Sequence, residues 1–151
     1  MGQQQLLLLV LGIVIVGLAV VVGINAFGEN QKRANADAMV NDALRIASDI
    51  QAYALKPAQF GGSGGWSALD ITADFLKDDL GYSDDPYTNV NGSYSLTQGS
   101  TGGDVIIEGE NTDQTNVVQV RVCGVTSTDL VTNINYDGST QGEPDACPTS
   151  T

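Results

Sequence analysis

The sequence predicts an α+β protein: a long N-terminal α-helical spine, apolar in its first half and amphipathic in its second, packed on a four-stranded antiparallel β-sheet head. Three observations predict it. Residues Leu6 to Ile24 form one uncharged apolar run. Apolar residues at helical spacing follow from Ala36 to Ala54. From Tyr87 onward the apolar period changes to two, between connections rich in Gly, Asn, Asp, Ser and Thr. The chain divides accordingly into an apolar helix at 1–28, its amphipathic continuation at 29–56, a loop with a short helix at 57–86, and a sheet with a C-terminal tail at 87–151.

The apolar run reads LLLLVLGIVIVGLAVVVGI, nineteen residues with no polar side chain. At about 1.5 Å per residue it spans roughly 28 Å, close to the hydrocarbon thickness of a bilayer. A cleaved secretory signal has a shorter apolar region, a basic start and a small-residue cleavage site. Here the start is Met-Gly-Gln-Gln-Gln, and Asn25-Ala26-Phe27 is a poor cleavage site. A soluble domain of this size seldom carries so uniform a run, so it reads as a membrane span. Leu6, Leu9, Ile13, Val16, Val20 and Ile24 represent its surface. Gly12, Gly17 and Gly23 interrupt it without forming a GxxxG motif.

After a polar stretch from Asn25 to Gln31, Ala36, Val40, Ala43, Ala47, Ile50 and Ala54 fall at steps of four and three. That is one stripe of an amphipathic helix, widened by Met39, Leu44, Ile46 and Tyr53. Pro57 ends it, because the residue before a proline disfavours the α region. One continuous helix over residues ~3 to ~55 is roughly 80 Å long.

Phe60 to Trp66 reads FGGSGGW, a glycine loop without the Lys-Ser/Thr of a phosphate-binding loop. Ser67 with Asp70 has the form of a capping box. Leu69, Ala73, Leu76 and Leu80 then give one stripe before Gly81, which predicts a short helix at about 68–80. Four strands follow. Tyr94 and Leu96 lie on the first, and Val105 and Ile107 on the second. The third runs from Asn116 to Cys123, with Val118, Val120 and Val122 facing one way. Val117, Gln119, Arg121 and Cys123 face the other. The fourth carries Leu130, Thr132, Ile134 and Tyr136. One face of this sheet is expected to be covered by the amphipathic helix.

Composition narrows the chemistry. The chain has 151 residues, 6 basic and 18 acidic groups, a net charge of −12 and no histidine. Histidine-based triads and His-ligated zinc are therefore excluded. So strongly acidic a chain is unsuited to nucleic acid, whose phosphates need Lys and Arg. Asp84/Asp85 and Glu108/Glu110 are adjacent carboxylates of the kind chance produces among 18 acids, and no catalytic residue is assigned. Asn133 to Gly138 resembles the first half of a calcium loop, but it starts with Asn, and Glu143 falls one residue short of the bidentate position. Asp-Gly at a strand end reads as a turn, so no metal and no cofactor is expected. Phe27 and Tyr53 are the only aromatics in the first 55 residues, which offers no ladder for electron transfer.

Cys123 and Cys147 are the only cysteines. They read as a disulfide, since the tail from Pro144 has little core of its own; two buried free thiols are the alternative. A bond requires an oxidising compartment. Lys32 and Arg33, placed after the span, argue by the positive-inside rule for the opposite orientation. The disulfide and the acidic, lysine-poor head outweigh them. Asn91-Gly92-Ser93 is a glycosylation sequon, with Asn91 as the candidate acceptor.

An apolar helix continuing into an amphipathic half, a loop, an antiparallel sheet and a C-terminal cysteine loop together resemble the type IV pilin family. The resemblance covers the chain as architecture, and residues 1–55 as a pattern. It implies a structural subunit of an extracellular filament, a homo-oligomer whose apolar helices pack in the filament core. It also implies residence in the inner membrane before assembly, and a pilus assembly machinery as partner. The start departs from the family's basic leader and from its glutamate at the fifth mature position. Cleavage after Gly2 would make Gln3 the first residue. An uncut chain puts Gln5 in the glutamate's place, and this register keeps a polar side chain there. A pseudopilin or minor pilin, and a single-span anchored extracytoplasmic binding domain, are the rival readings. The last of these needs no continuous helix through residues 25–35.

Overall fold

The computed structural model describes residues 2–99, 103–138, 142, 144, 146 and 147. Helix α1 runs unbroken from Gly2 to Leu55. The polar stretch at 25–31 does not interrupt it, and its 54 residues give a rod of roughly 80 Å. Two 3₁₀ turns (Ala58–Phe60 and Trp66–Ala68) and the short helix α2 (Phe75–Asp78) lead into the sheet. Strands β1 (Tyr87–Thr88), β2 (Ser93–Gln98), β3 (Val105–Asn111), β4 (Asn116–Val122) and β5 (Leu130–Asn135) form an antiparallel meander in sequence order. The fold class is the expected one. The sheet has five strands rather than four, because Tyr87 and Thr88 pair with Tyr94 and Ser93 as a two-residue edge.

The core lies between α1 and the sheet. Ala36, Met39, Ala43, Ile46, Ala47, Ile50 and Ala54 are buried on the helix. The stripe is the expected one, rotated slightly: Met39 and Ile46 take the centre and Val40 is only half-buried. Four alanines among seven buried positions bring the helix backbone close to the strands. Opposite them stand Tyr94, Val105, Ile107, Val118, Val120 and Val122. Their register is consistent, with Val105 opposite Val122, Ile107 opposite Val120 and Gly109 opposite Val118. Gly109 has to be glycine, since a Cβ there would lie 2.9 Å from the Tyr94 ring.

The expected helix at 68–80 is shortened to Phe75–Asp78. Ser67 belongs to the preceding 3₁₀ turn and does not cap it. Leu69 is buried and Ile71 half-buried, while Ala73 is exposed, so the apolar spacing that mimics a helix is spent on an extended connection. The Leu76 N–H instead bonds Asp85 Oδ2 at 3.1 Å. The C-cap is Asp79 rather than the expected Gly81, because the helix ends early. Gly81 is left-handed (φ 76°), and the following Tyr82 N–H returns to Leu76 O at 2.9 Å.

The second face of β4 also departs from expectation. All seven residues of the strand are buried, including Val117, Gln119 and Arg121 on the side away from α1. Cys123 and Cys147 are bonded, with Cα atoms 5.6 Å apart, and this ties the C-terminal segment to the end of β4. Pro144 of that segment is buried. On this face Arg121 Nε meets Asp104 Oδ2 at 3.0 Å, with both side chains almost fully buried. The Asp104 carboxylate lies against Gly99, where a Cβ would meet Oδ2 at 2.0 Å.

Breaking a buried pair from one side leaves an uncompensated charge. Arg121→Met is therefore expected to cost about 3–5 kcal/mol in denaturant unfolding of the detergent-solubilised chain. Adding Asp104→Leu should recover most of it. Equal loss in the single and double variants would show that the pair is not what the face depends on. Replacing both cysteines by alanine removes a closed loop of 24 residues' separation and should cost about 3 kcal/mol in the same assay.

Candidate functional site

The helix is covered over only part of its length. From Ala36 onward it lies on the sheet, and before Gly28 every described residue is exposed. The apolar run therefore faces outward on all sides. Leu6 is 64% exposed, Ile13 65% and Ile24 67%. Leu9, Val16 and Val20 are exposed likewise, so all six residues expected on the apolar surface stand free of the head. Phe27, 69% exposed, ends the series next to the first charged residue, Glu29. The segment is long and apolar enough to cross a membrane, and none of its most hydropathic window is buried. Gln5 and Gly2 lie in the first turns of α1, with Gln5 exposed. Met1, on which the uncut register turns, lies outside the described residues.

Such a surface cannot stay in water. At ~25 cal/mol/Å², an area of roughly 2,000 Å² is worth tens of kcal/mol to any apolar surroundings that cover it. Its glycines add no shape of their own: a Cβ at Gly12, Gly17 or Gly23 would meet nothing. Helix continuity allows the head to hold this surface as a rigid extension. The helix leaves the head at a polar collar. Asn116, fully buried at the start of β4, donates from Nδ2 to Lys32 O at 2.8 Å and to Asn35 Oδ1 at 2.9 Å. Asn35 Nδ2 donates to Asn91 O at 3.0 Å, and Asn111 Nδ2 reaches the same carbonyl. Lys32 Nζ donates to the Thr115 hydroxyl at 3.1 Å.

About two turns beyond Asn35, Asp42 gathers three donors on a single oxygen. Asn91 Nδ2 lies at 2.7 Å, Asn89 Nδ2 at 2.8 Å and Tyr94 Oη at 3.0 Å. Burial raises the pKa of the carboxyl. The bonds from Asn91, Asn89 and Tyr94 and the charge of Arg45 outweigh it and hold the group below its ordinary value. Burial first, and donation to Asp42 second, push the Tyr94 phenol upward, so it stays a neutral donor. Asn91, the candidate glycan acceptor, turns its side chain onto α1, so a sugar on Nδ2 would displace or re-route the Asp42 bond.

The remaining candidates are dispersed. Asn135 Oδ1 accepts the Asp137 N–H at 3.0 Å in a turn that ends with left-handed Gly138, and Glu143 lies outside the described residues. Glu108 Oε2 accepts from Gln119 Nε2 at 2.7 Å across the strands, while Asp85 is engaged with Leu76. Among the described residues no three His, Cys, Asp or Glu side chains gather to hold a metal ion. The chain has no match among family models, curated proteins or solved structures.

A depressed carboxyl pKa makes stability fall with acid. The Asp42 contribution is present in full above the unfolded carboxyl value near 3.8 and is lost as pH drops through the lower folded value. Unfolding free energy measured between pH 5 and pH 2 should fall less steeply in Asp42→Asn than in the parent. At pH 7 Asp42→Ala, which strands three donors, should cost about 1–3 kcal/mol. An unchanged pH slope in Asp42→Asn would remove Asp42 from the account.

Proposed function

We propose that this chain is a structural subunit of an extracellular type IV pilus-like filament. The carrying observation is the combination of an apolar helical surface bare on all sides with an unbroken, firmly seated helix behind it. Copies packed side by side through Leu6, Leu9, Ile13, Val16, Val20 and Ile24 bury that surface in a common core and leave the acidic heads outside. Before assembly the same segment lies in the inner membrane. The membrane covers it almost equally well, so an assembly machinery must supply the energy that moves it. Cys123–Cys147 is consistent with a head that folds outside the cytoplasm. The continuous helix through 25–35 supports this reading over a single-span anchored binding domain, which needs no rigid link. A pseudopilin or minor pilin uses the same packing and is separated by abundance: a major subunit dominates the filament's protein.

Electron microscopy of sheared cell-surface material, with mass spectrometry of the filaments, tests the reading. The expected result is filaments built mainly of this chain. Ile13→Asp, which places a carboxylate in the core at a cost of about 3 kcal/mol per helix, should abolish them. An exposed head change such as Thr128→Ala should leave them intact. Filaments that persist with Ile13→Asp, or that lack the chain, would sink the proposal. Intact mass of the same material reports whether the chain is cut after Gly2.

A further inference from the structure

Beneath the head, α1 and the end of β5 border an open groove of about 640 Å³. Residues of α1, among them Ile24, Gly28, Glu29, Lys32 and Arg33, line it together with Tyr136. The volume suits a small cluster of side chains. Arg33 reaches Glu29 only at 3.9 Å with both side chains largely exposed, a pair of little strength. Two cations against one carboxylate leave the groove's lining positive.

The rest of the head has the opposite sign. Residues 78–151 hold 12 acidic groups and 1 basic group, and that one, Arg121, is committed to Asp104 inside the fold. The segment from the end of α2 through the turn before β1 presents Asp78, Asp79 and Asp84, all exposed. It is fastened to α1 by Tyr53 Oη donating to Asp79 at 2.9 Å and Tyr82 Oη donating to Asp49 at 2.6 Å. Asp49 follows Arg33 by sixteen residues. On an α-helix that is roughly 24 Å along the axis. The positive groove and the acidic turn thus occupy opposite ends of one head. They cannot meet within one chain, and a contact of groove with groove sets like charges together. A head-to-tail contact joins them, and such a contact repeats without closing, as a helical polymer requires.

We propose that the groove receives the acidic α2–β1 turn of a second copy, with Asp78 and Asp84 of that copy facing Lys32 and Arg33. This deepens the filament reading and rests on it. Exposed charge pairs of this kind set register and suppress wrong neighbours more than they add affinity. The apolar core supplies burial in many rotations of one helix against another, and the groove selects one of them.

Charge reversal on the full-length chain tests the contact. Lys32→Glu with Arg33→Glu should lower the pelleted filament fraction roughly tenfold or more, since like charges then face each other. Asp78→Lys with Asp84→Lys should do the same. All four changes together should restore assembly, which a folding defect at Lys32 would not do; thermal melts of each variant check the fold separately. If the parent forms no filaments, the filament reading itself fails and the groove assignment with it. If the parent assembles and the reversals assemble equally well, or the fourfold variant does not recover, the groove assignment fails and the filament reading stands. If the Lys32/Arg33 reversal instead depletes the chain from the membrane fraction without rescue, the groove contacts lipid headgroups and the assignment is overturned.

Discussion

The close seating of α1 on β4 and β3 is the contact on which the rest of the structure depends. Ala36, Ala43, Ala47 and Ala54 are fully buried there, so little but backbone separates helix and sheet at those points. Met39, Ile46 and Ile50 fill the space between them against Tyr94, Ile107, Val118 and Val120. A seam of small residues leaves few alternative positions for the helix. Larger side chains along the stripe would lift it and cost packing throughout. Because α1 is a single helix, the seating of its second half sets the direction in which its first half projects. A head fold of modest size thereby directs a projecting rod about twice as long as the stretch of helix it seats.

The polar collar does what the alanine seam cannot. Apolar packing is tolerant of sliding, whereas hydrogen bonds to single backbone carbonyls are not. Asn116 on Lys32 O, and Asn35 on Asn91 O, fix the helix along its axis at the point where it leaves the sheet. Asp42 fixes it again two to three turns later through the β1–β2 hairpin. Each of these groups is partly or wholly buried and bonded across the helix–sheet seam, so the set specifies one register and penalises the rest. Gly92 belongs to the same device, since a Cβ there would lie 2.7 Å from Glu110 O and push the hairpin away from Met39.

Much of this was readable in the sequence, and the reasons differ by element. The apolar run needs no tertiary information, because nineteen uncharged residues leave no face for water. The alanine stripe and the alternation of β4 were legible as periodicities, and the pairing of Cys123 with Cys147 as the only intramolecular choice. The region 68–80 misled because Leu69, Leu76 and Leu80 fall at helical spacing although Leu69 packs from an extended segment. The burial of Gln119 and Arg121 was hidden for another reason. Alternation shows which residues share a face but not whether a distant segment covers it. The collar was the least legible. Asn35, Asn91, Asn111 and Asn116 look like loop and surface residues, and their bonds span 20 to 84 positions. No local pattern marks an asparagine for such a role.

The division of charge along the chain bears on how a bare apolar helix can be handled at all. Residues 1–77 carry 5 basic and 6 acidic groups, nearly neutral, while residues 78–151 carry nearly all of the net charge. Hydrophobic burial has no directional preference, so identical apolar rods left to themselves aggregate without order. Strong like charge on the heads opposes that outcome: heads brought together at random repel, and the repulsion rises with every neighbour added. Only arrangements that hold the acidic faces apart while the rods touch escape the penalty. A radial arrangement, rods inward and heads outward, does so, because charge then sits at the largest radius and in water. In the filament proposed above, acidic surface and apolar helix would act as one device, in which the first discards most of the associations that the second would otherwise permit.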